Sequence, residues 1–230
     1  MRAKMADFGL PVLSVTLFLA ALGMVFLYAP REVTMGDVQR IFYFHVASAW
    51  VGFFGFLVTF CGSAVYLARR ARGAHGARAW DILALASAEV GLAFITMTVL
   101  TGMLWAKPVW GVYWIWEPRL AISAVQWLLY VAYVMLRGSL DNPDRSARFA
   151  AVYGIAAFMT VPLSWFAIRW WRTIHPQLFS GGEMAITPPM LATLLVSLIA
   201  FTVLYMALLR ARMQLERERD LLAAARAAKE

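Results

Sequence analysis

The chain has 230 residues, of which 62% are hydrophobic and 15% charged, with a mean hydropathy of +0.68. A soluble domain carries about a quarter charged residues, so lipid has to be the solvent for most of this chain. The formal charge of +8 does not point to nucleic acid, because the basic residues lie in short segments between apolar runs, and the single Cys61 excludes an intrachain disulfide or a CxxC redox pair.

Six stretches are apolar over the roughly 20 residues that a helix needs to cross the hydrocarbon core. In chain order they are Phe8–Ala29, Ile41–Ala68, Ile82–Leu104, Leu120–Leu136, Phe149–Ile168 and Pro189–Leu209. The first follows Arg2 and Lys4, as a signal peptide would, but its apolar run is too long and no small-residue cleavage site follows, so it reads as a true span. If the N-terminus is inside, 15 of the 21 basic residues fall on the cytoplasmic side, which predicts an N-in/C-in protein. The expected fold class is therefore all-α and polytopic: one integral membrane domain over residues 1–230, with an outer loop at 105–119 and a cytoplasmic tail at 211–230.

Local patterns fit these spans. Arg72-Gly-Ala-His75-Gly and Asp141-Asn-Pro-Asp144 are turn chemistry on the inner side, and His75 reads as a bystander there. Gly55, Thr59 and Ser63, spaced by four, suit close helix–helix contact. Thr187-Pro188-Pro189 reads as an N-cap followed by prolines in the first turn of the last span. Glu89 is a carboxylate within a span, which calls for a partner in the bundle, and we read it as structural; Asp81 lies nearer the inner interface. The charged tail reads as a solvated continuation of the last helix, in preference to a docking element for a cytoplasmic partner.

The tryptophans are placed asymmetrically. Trp105, Trp110, Trp114, Trp116, Trp165, Trp170 and Trp171 fall at or beyond the predicted outer interface, whereas Trp80 marks the inner one. A two-sided interfacial belt does not produce that distribution. Trp110 and Trp114 are four apart and share a face if their segment is helical. Such a surface offers flat polarisable area and indole N–H donors to a planar hydrophobic ligand, and Lys107 and Arg119 can neutralise its carboxylates.

Two histidines lie on the same predicted side. His45 stands at the outer end of the second span, after Arg40, and His175 stands in the loop before the sixth, after Arg169 and Arg172. Neutral imidazoles are good axial ligands for haem iron, and two of them fill both axial positions. With no CxxCH sequence, any haem has to be held without thioether bonds. This reading requires the two rings to meet in space, which spacing alone does not establish.

Trp110-Gly111-x-x-Trp114-x-Trp116-Glu117-x-Arg119-Leu120, preceded by Thr101-Gly-x-x-Trp105-x-Lys-Pro, closely resembles the tryptophan-rich "WWD" signature of the haem-handling proteins of cytochrome c maturation. In length and span number the chain is similar to the haem exporter protein C (CcmC) branch over nearly its whole extent. The resemblance implies that the signature residues Trp110, Gly111, Trp114, Trp116, Glu117 and Arg119 bind haem non-covalently at the periplasmic face, with His45 and His175 as iron ligands. It also implies delivery to the haem chaperone CcmE within an ABC-transporter-like complex of the bacterial inner membrane. In that complex CcmA is the ATPase, CcmB a second membrane subunit and CcmD a small single-span protein. The chain has no Walker motif, so ATP hydrolysis is expected in a partner and not here. Glu117 stands where the signature usually has Asp, and Ala121 where it has Thr. A cytochrome b-like electron-transfer subunit, a haem lyase and a plain permease subunit are the other readings. The first fits less well because it calls for histidines well inside the hydrocarbon.

Overall fold

A computed structural model describes residues 2–171, 174–176, 179–180, 183–184 and 186–229. Seven helices follow in order: α1 (Arg2–Gly23), α2 (Arg40–Ala71), α3 (Ala77–Trp110), α4 (Pro118–Gly138), α5 (Pro143–Phe158), α6 (Thr160–Trp170) and α7 (Pro188–Ala227). The α6–α7 connection carries a two-residue antiparallel pairing of Phe179–Ser180 (β1) with Glu183–Met184 (β2). Six helical segments are long and apolar enough to cross a membrane, with α5 and α6 together forming one of them, so the chain is all-α and polytopic as expected. An even number of crossings puts both termini at one end of the bundle, together with the α2–α3 and α4–α5 turns. We call this the terminal end and its opposite the loop end.

The centre of the bundle is the α2–α3 pair. Lipid supplies no hydrophobic drive between helices, so association there depends on close packing and interhelical hydrogen bonds. Small residues on α2 allow both. A Cβ added to Gly55 would meet the Gly91 Cα at 3.1 Å, and one added to Gly52 would meet the Ile95 side chain at 2.5 Å. Across this seam the Ser87 hydroxyl donates to the Gly55 carbonyl (2.6 Å) and shares a 2.7 Å hydrogen bond with the Tyr205 hydroxyl of α7. The Thr59 hydroxyl donates to its own helix at Gly55 (2.9 Å) and reaches the Ala84 carbonyl of α3 (3.3 Å). On one side Ala47, Val51, Val90 and Phe94 pack against Phe201 and Tyr205 of α7; on the other, Phe56, Leu85 and Ile95 pack against Tyr130, Tyr133 and Ala150.

Helix ends depart from the hydropathy boundaries for identifiable reasons. The predicted fifth span breaks at Met159, because Pro162 has no N–H to give the Phe158 carbonyl. At the loop end of α1 the chain widens into a π-turn, Met24–Tyr28. There the Ala29 N–H goes to Met24 O (2.8 Å) and residue 30 is proline, so the Val25 carbonyl accepts instead from the Arg40 guanidinium, which ties α1 to α2. Thr187 is the N-cap of α7, with proline following, as the sequence suggests.

The terminal end is held by ion pairs. Asp81, 2% exposed, accepts from Arg137 of α4 (2.7 and 3.1 Å) and from Arg78. Arg78 also forks onto Asp220 of α7 (2.7 and 2.8 Å). Glu89 finds its partner in Arg212, which bridges to Glu216 at 2.8 Å, so the structural reading of Glu89 holds. The tail does continue the last helix, to Ala227, but it is clamped to α3 along one side and is not simply solvated. Removing one partner of a buried pair strands the other charge. Asp81→Ala is expected to cost about 3 kcal/mol of stability, read by denaturant unfolding in detergent, with Arg70→Ala at the exposed Arg70–Asp144 pair having a much smaller effect.

Candidate functional site

His45 lies one turn and a half into α2, where that helix faces the last third of α3. Its Nδ1 is 3.0 Å from the Thr98 carbonyl oxygen and 3.3 Å from Thr101 Oγ1. A carbonyl oxygen only accepts, so Nδ1 carries the proton and Nε2 carries the lone pair. Thr101 passes its own hydroxyl proton to Met97 O (2.7 Å), which leaves its oxygen to accept. Gly102 provides the room, since a Cβ there would stand 3.0 Å from His45 Cε1. This is the arrangement that fixes tautomer and ring orientation in metal-ligating histidines.

His175 approaches from the α6–α7 connection. Its Nδ1 is 3.2 Å from the Pro176 carbonyl oxygen, again assigning the lone pair to Nε2. The ring centres of His45 and His175 lie 6.2 Å apart, with the ring planes 36° from one another. Metal–imidazole bonds of about 2 Å to two opposed Nε2 atoms put ring centres roughly 6 Å apart, and these two ring centres have that separation. The two imidazoles, 130 positions apart in sequence, do converge.

Arg119 sits in the first turn of α4, partly buried, and its charge acts on both imidazoles. Burial, the Arg119 charge and the neighbouring His45 together push the His175 pKa down to about 3, against the opposing pull of the Pro176 carbonyl. His175 is therefore neutral, the form that binds a metal. The indole N–H of Trp114 is buried and, among the described residues, has no hydrogen-bond partner, which leaves a donor for a ligand acceptor.

The tryptophans do not form one flat shelf. The condition for Trp110 and Trp114 to share a helical face fails, because α3 ends at Trp110. Gly111, at φ +77°, turns the chain in the left-handed region, donating its N–H to Lys107 O (3.0 Å). Trp110 stands edge-to-face with Trp105 at 5.4 Å, and Trp114 with Trp116 at 5.7 Å, the packing that ring quadrupoles favour. Trp116 is 80% exposed. Lys107 donates to Gly111 O (2.9 Å) and lies over Tyr113, so it braces the turn. Arg40 is likewise taken up by Val25 and Asp37, and Arg172 lies outside the described residues.

Two cradle residues, Thr98 and Gly102, were not singled out from the sequence as site residues. The Thr101-Gly102 pair does stand in the lead-in to the signature, but only contact with His45 reveals what it does. The Trp-rich segment, both histidines and Arg119 thus lie at the loop end.

The sequence profile described as "CcmC: Heme exporter protein C" matches residues 3–227. The chain belongs to this family. It is 34% identical over 204 residues to Heme exporter protein C of Bradyrhizobium diazoefficiens, covering 87% of this chain and 75% of the relative. It is 29% identical over 211 residues to the Haemophilus influenzae protein of that name (88% and 82%), and 29% identical over 193 residues to that of Escherichia coli K12 (81% and 74%). Membership of the haem exporter protein C family rests on nearly the whole chain, and the signature segment lies inside the matched region.

The lowered His175 pKa sets a pH window. An exposed histidine takes its proton near 6.5, whereas seated His175 resists until about 3. The seated ring is fully favoured above 6.5 and loses that advantage progressively as pH falls from 6.5 towards 3. In the haem-free protein, the His175 ring resonance is expected to stay at its neutral position from pH 8 to 5 in NMR titration.

Proposed function

We propose that the protein binds haem non-covalently between His45 and His175 at the periplasmic face of the bacterial inner membrane and passes it to the haem chaperone CcmE for cytochrome c maturation. The observation that carries this reading is the 6.2 Å separation of two imidazoles whose Nδ1 atoms are both committed to carbonyl oxygens. Haem iron takes two such nitrogens axially. The relatives' name supports a part in haem handling, and the family's place in cytochrome c biogenesis supports the direction of transfer.

In this reading Arg119 faces a propionate, the Trp114 N–H donates to a polar group of the haem edge, and Trp110 and Trp116 border the porphyrin. Gly111 supplies the turn that brings the segment round. Cys61 is the only thiol, so the site binds without thioether bonds and releases its cargo intact. The excess of basic residues at the terminal end supports the N-in/C-in orientation. Partners CcmA, CcmB and CcmD would complete the complex, with CcmA hydrolysing ATP. The protein itself performs delivery and no bond-making chemistry, across a single domain of residues 1–230.

The test is the haem content and absorption spectrum of purified protein, with and without the chaperone. Wild type is expected to carry low-spin, six-coordinate haem. His45→Ala and His175→Ala should each give a five-coordinate, high-spin spectrum, and the double variant should lose haem. An unchanged spectrum in the double variant would overturn the assignment. Gly102→Val should crowd the His45 ring and weaken haem binding about tenfold in a spectral titration, while Gly138→Val, with nothing within 4 Å, should leave it unchanged.

A further inference from the structure

Glu117 is the N-cap residue of α4, with φ −91° and ψ 160° and proline following. An acidic side chain at this position ordinarily accepts from the N–H groups of its own first turn. Here it does not. The first turn is closed by the Glu117 backbone carbonyl, which accepts from Ala121 N (2.9 Å). The carboxylate turns away from its helix, and its Oε2 accepts from the backbone N–H of Ile174, 57 positions later, at 3.2 Å.

Ile174 immediately precedes His175. Its side chain is 57% exposed, so it contributes little apolar anchoring, and the His175 Nδ1 bonds the next residue's carbonyl. α6 has ended four positions before Ile174, at Trp170. Pro176 disfavours helical backbone at His175 but does not place it against the bundle. His45, by contrast, is rigidly seated between α2 and α3. The distance between the two rings is therefore governed by whatever fixes the 174–176 segment, and the Glu117 carboxylate is a charged acceptor on that segment's backbone. Hydrogen bonds to ionised groups are the stronger kind.

We propose that Glu117 is a positioning residue: it tethers the backbone of the His175 segment to the start of α4 and so holds the second imidazole within bridging distance of the first. It acts through His175 and does not itself touch the iron. The spin-state expectation below rests on the bis-imidazole reading of the site; the tether itself does not.

Two experiments test the proposal with the full-length protein in detergent. In the haem-free protein, hydrogen exchange at the Ile174 amide is expected to be about tenfold faster in Glu117→Ala than in wild type, with Glu117→Gln between them because its amide oxygen still accepts. Equal exchange in all three would overturn the tether. In the haem-loaded protein, Glu117→Ala should convert the low-spin spectrum to a largely high-spin one, which added imidazole restores, while Glu117→Gln stays low-spin. If Gln behaves as Ala does, the charge of Glu117 and not its bond to Ile174 is what matters, and the proposal falls. If wild-type haem proves indifferent to His45→Ala and His175→Ala, the bis-imidazole reading fails, and the exchange result still decides the tether independently.

Discussion

The close approach of α2 and α3 is the constraint on which the other features depend. Gly52 and Gly55 let α2 lie against Ile95, Gly91 and Ser87 with no room for a methyl group. Because the contact is tight along its length, the loop-end part of α2 is held against the last turns of α3, and there His45 meets Thr98, Thr101 and Gly102. A wider seam would leave the imidazole without its carbonyl partner, and in a lipid setting an unmet ring N–H is expensive. Packing at the centre of the bundle thus decides the tautomer of a side chain near its end.

The two ends of the bundle solve the problem of polar groups in opposite ways. At the terminal end the charges are matched to one another: Asp81 with Arg78 and Arg137, Glu89 with Arg212, Asp220 with Arg78. This network joins α3, α4 and α7. At the loop end Asp37 pairs with Arg31 and Arg40, and two imidazoles face one another with Arg119 and Glu117 close by. His175 is kept neutral by its burial and by the guanidinium beside it, and Trp114 keeps a buried donor without a partner among the described residues. α3 runs unbroken from the first arrangement to the second, so the cradle of His45 and the ion pairs of the terminal end belong to one rigid element.

Much of the architecture could be read from residue order. Apolar runs located the six spans, since a backbone in hydrocarbon has to be helical and roughly 20 residues long. The start of α7 was legible in Thr187-Pro188-Pro189, and the need of Glu89 for a partner was legible in its depth. Boundaries were less so, because hydropathy marks where a helix is greasy and not where its hydrogen-bond ladder stops: α3 runs on to Trp110 and α7 to Ala227. The fifth span was read as continuous, and its break at Met159 follows from Pro162, which has no N–H for the Phe158 carbonyl. The shared face of Trp110 and Trp114 failed for a comparable reason, since Gly111 ends the helix between them.

By itself, the sequence determined the solvent, the number of crossings, the asymmetry of tryptophans and the residue types from which a site is built. These are set by composition and local periodicity, each a property of a short stretch of chain. Tertiary structure alone decided that His45 and His175 meet at 6.2 Å, that Arg212 answers Glu89, and that Glu117 turns from its own helix to the backbone of a distant loop. Those pairings join residues 57 to 130 positions apart, and spacing along the chain carries no information on them: they exist only once the α2–α3 seam and the helices around it fix where each backbone runs.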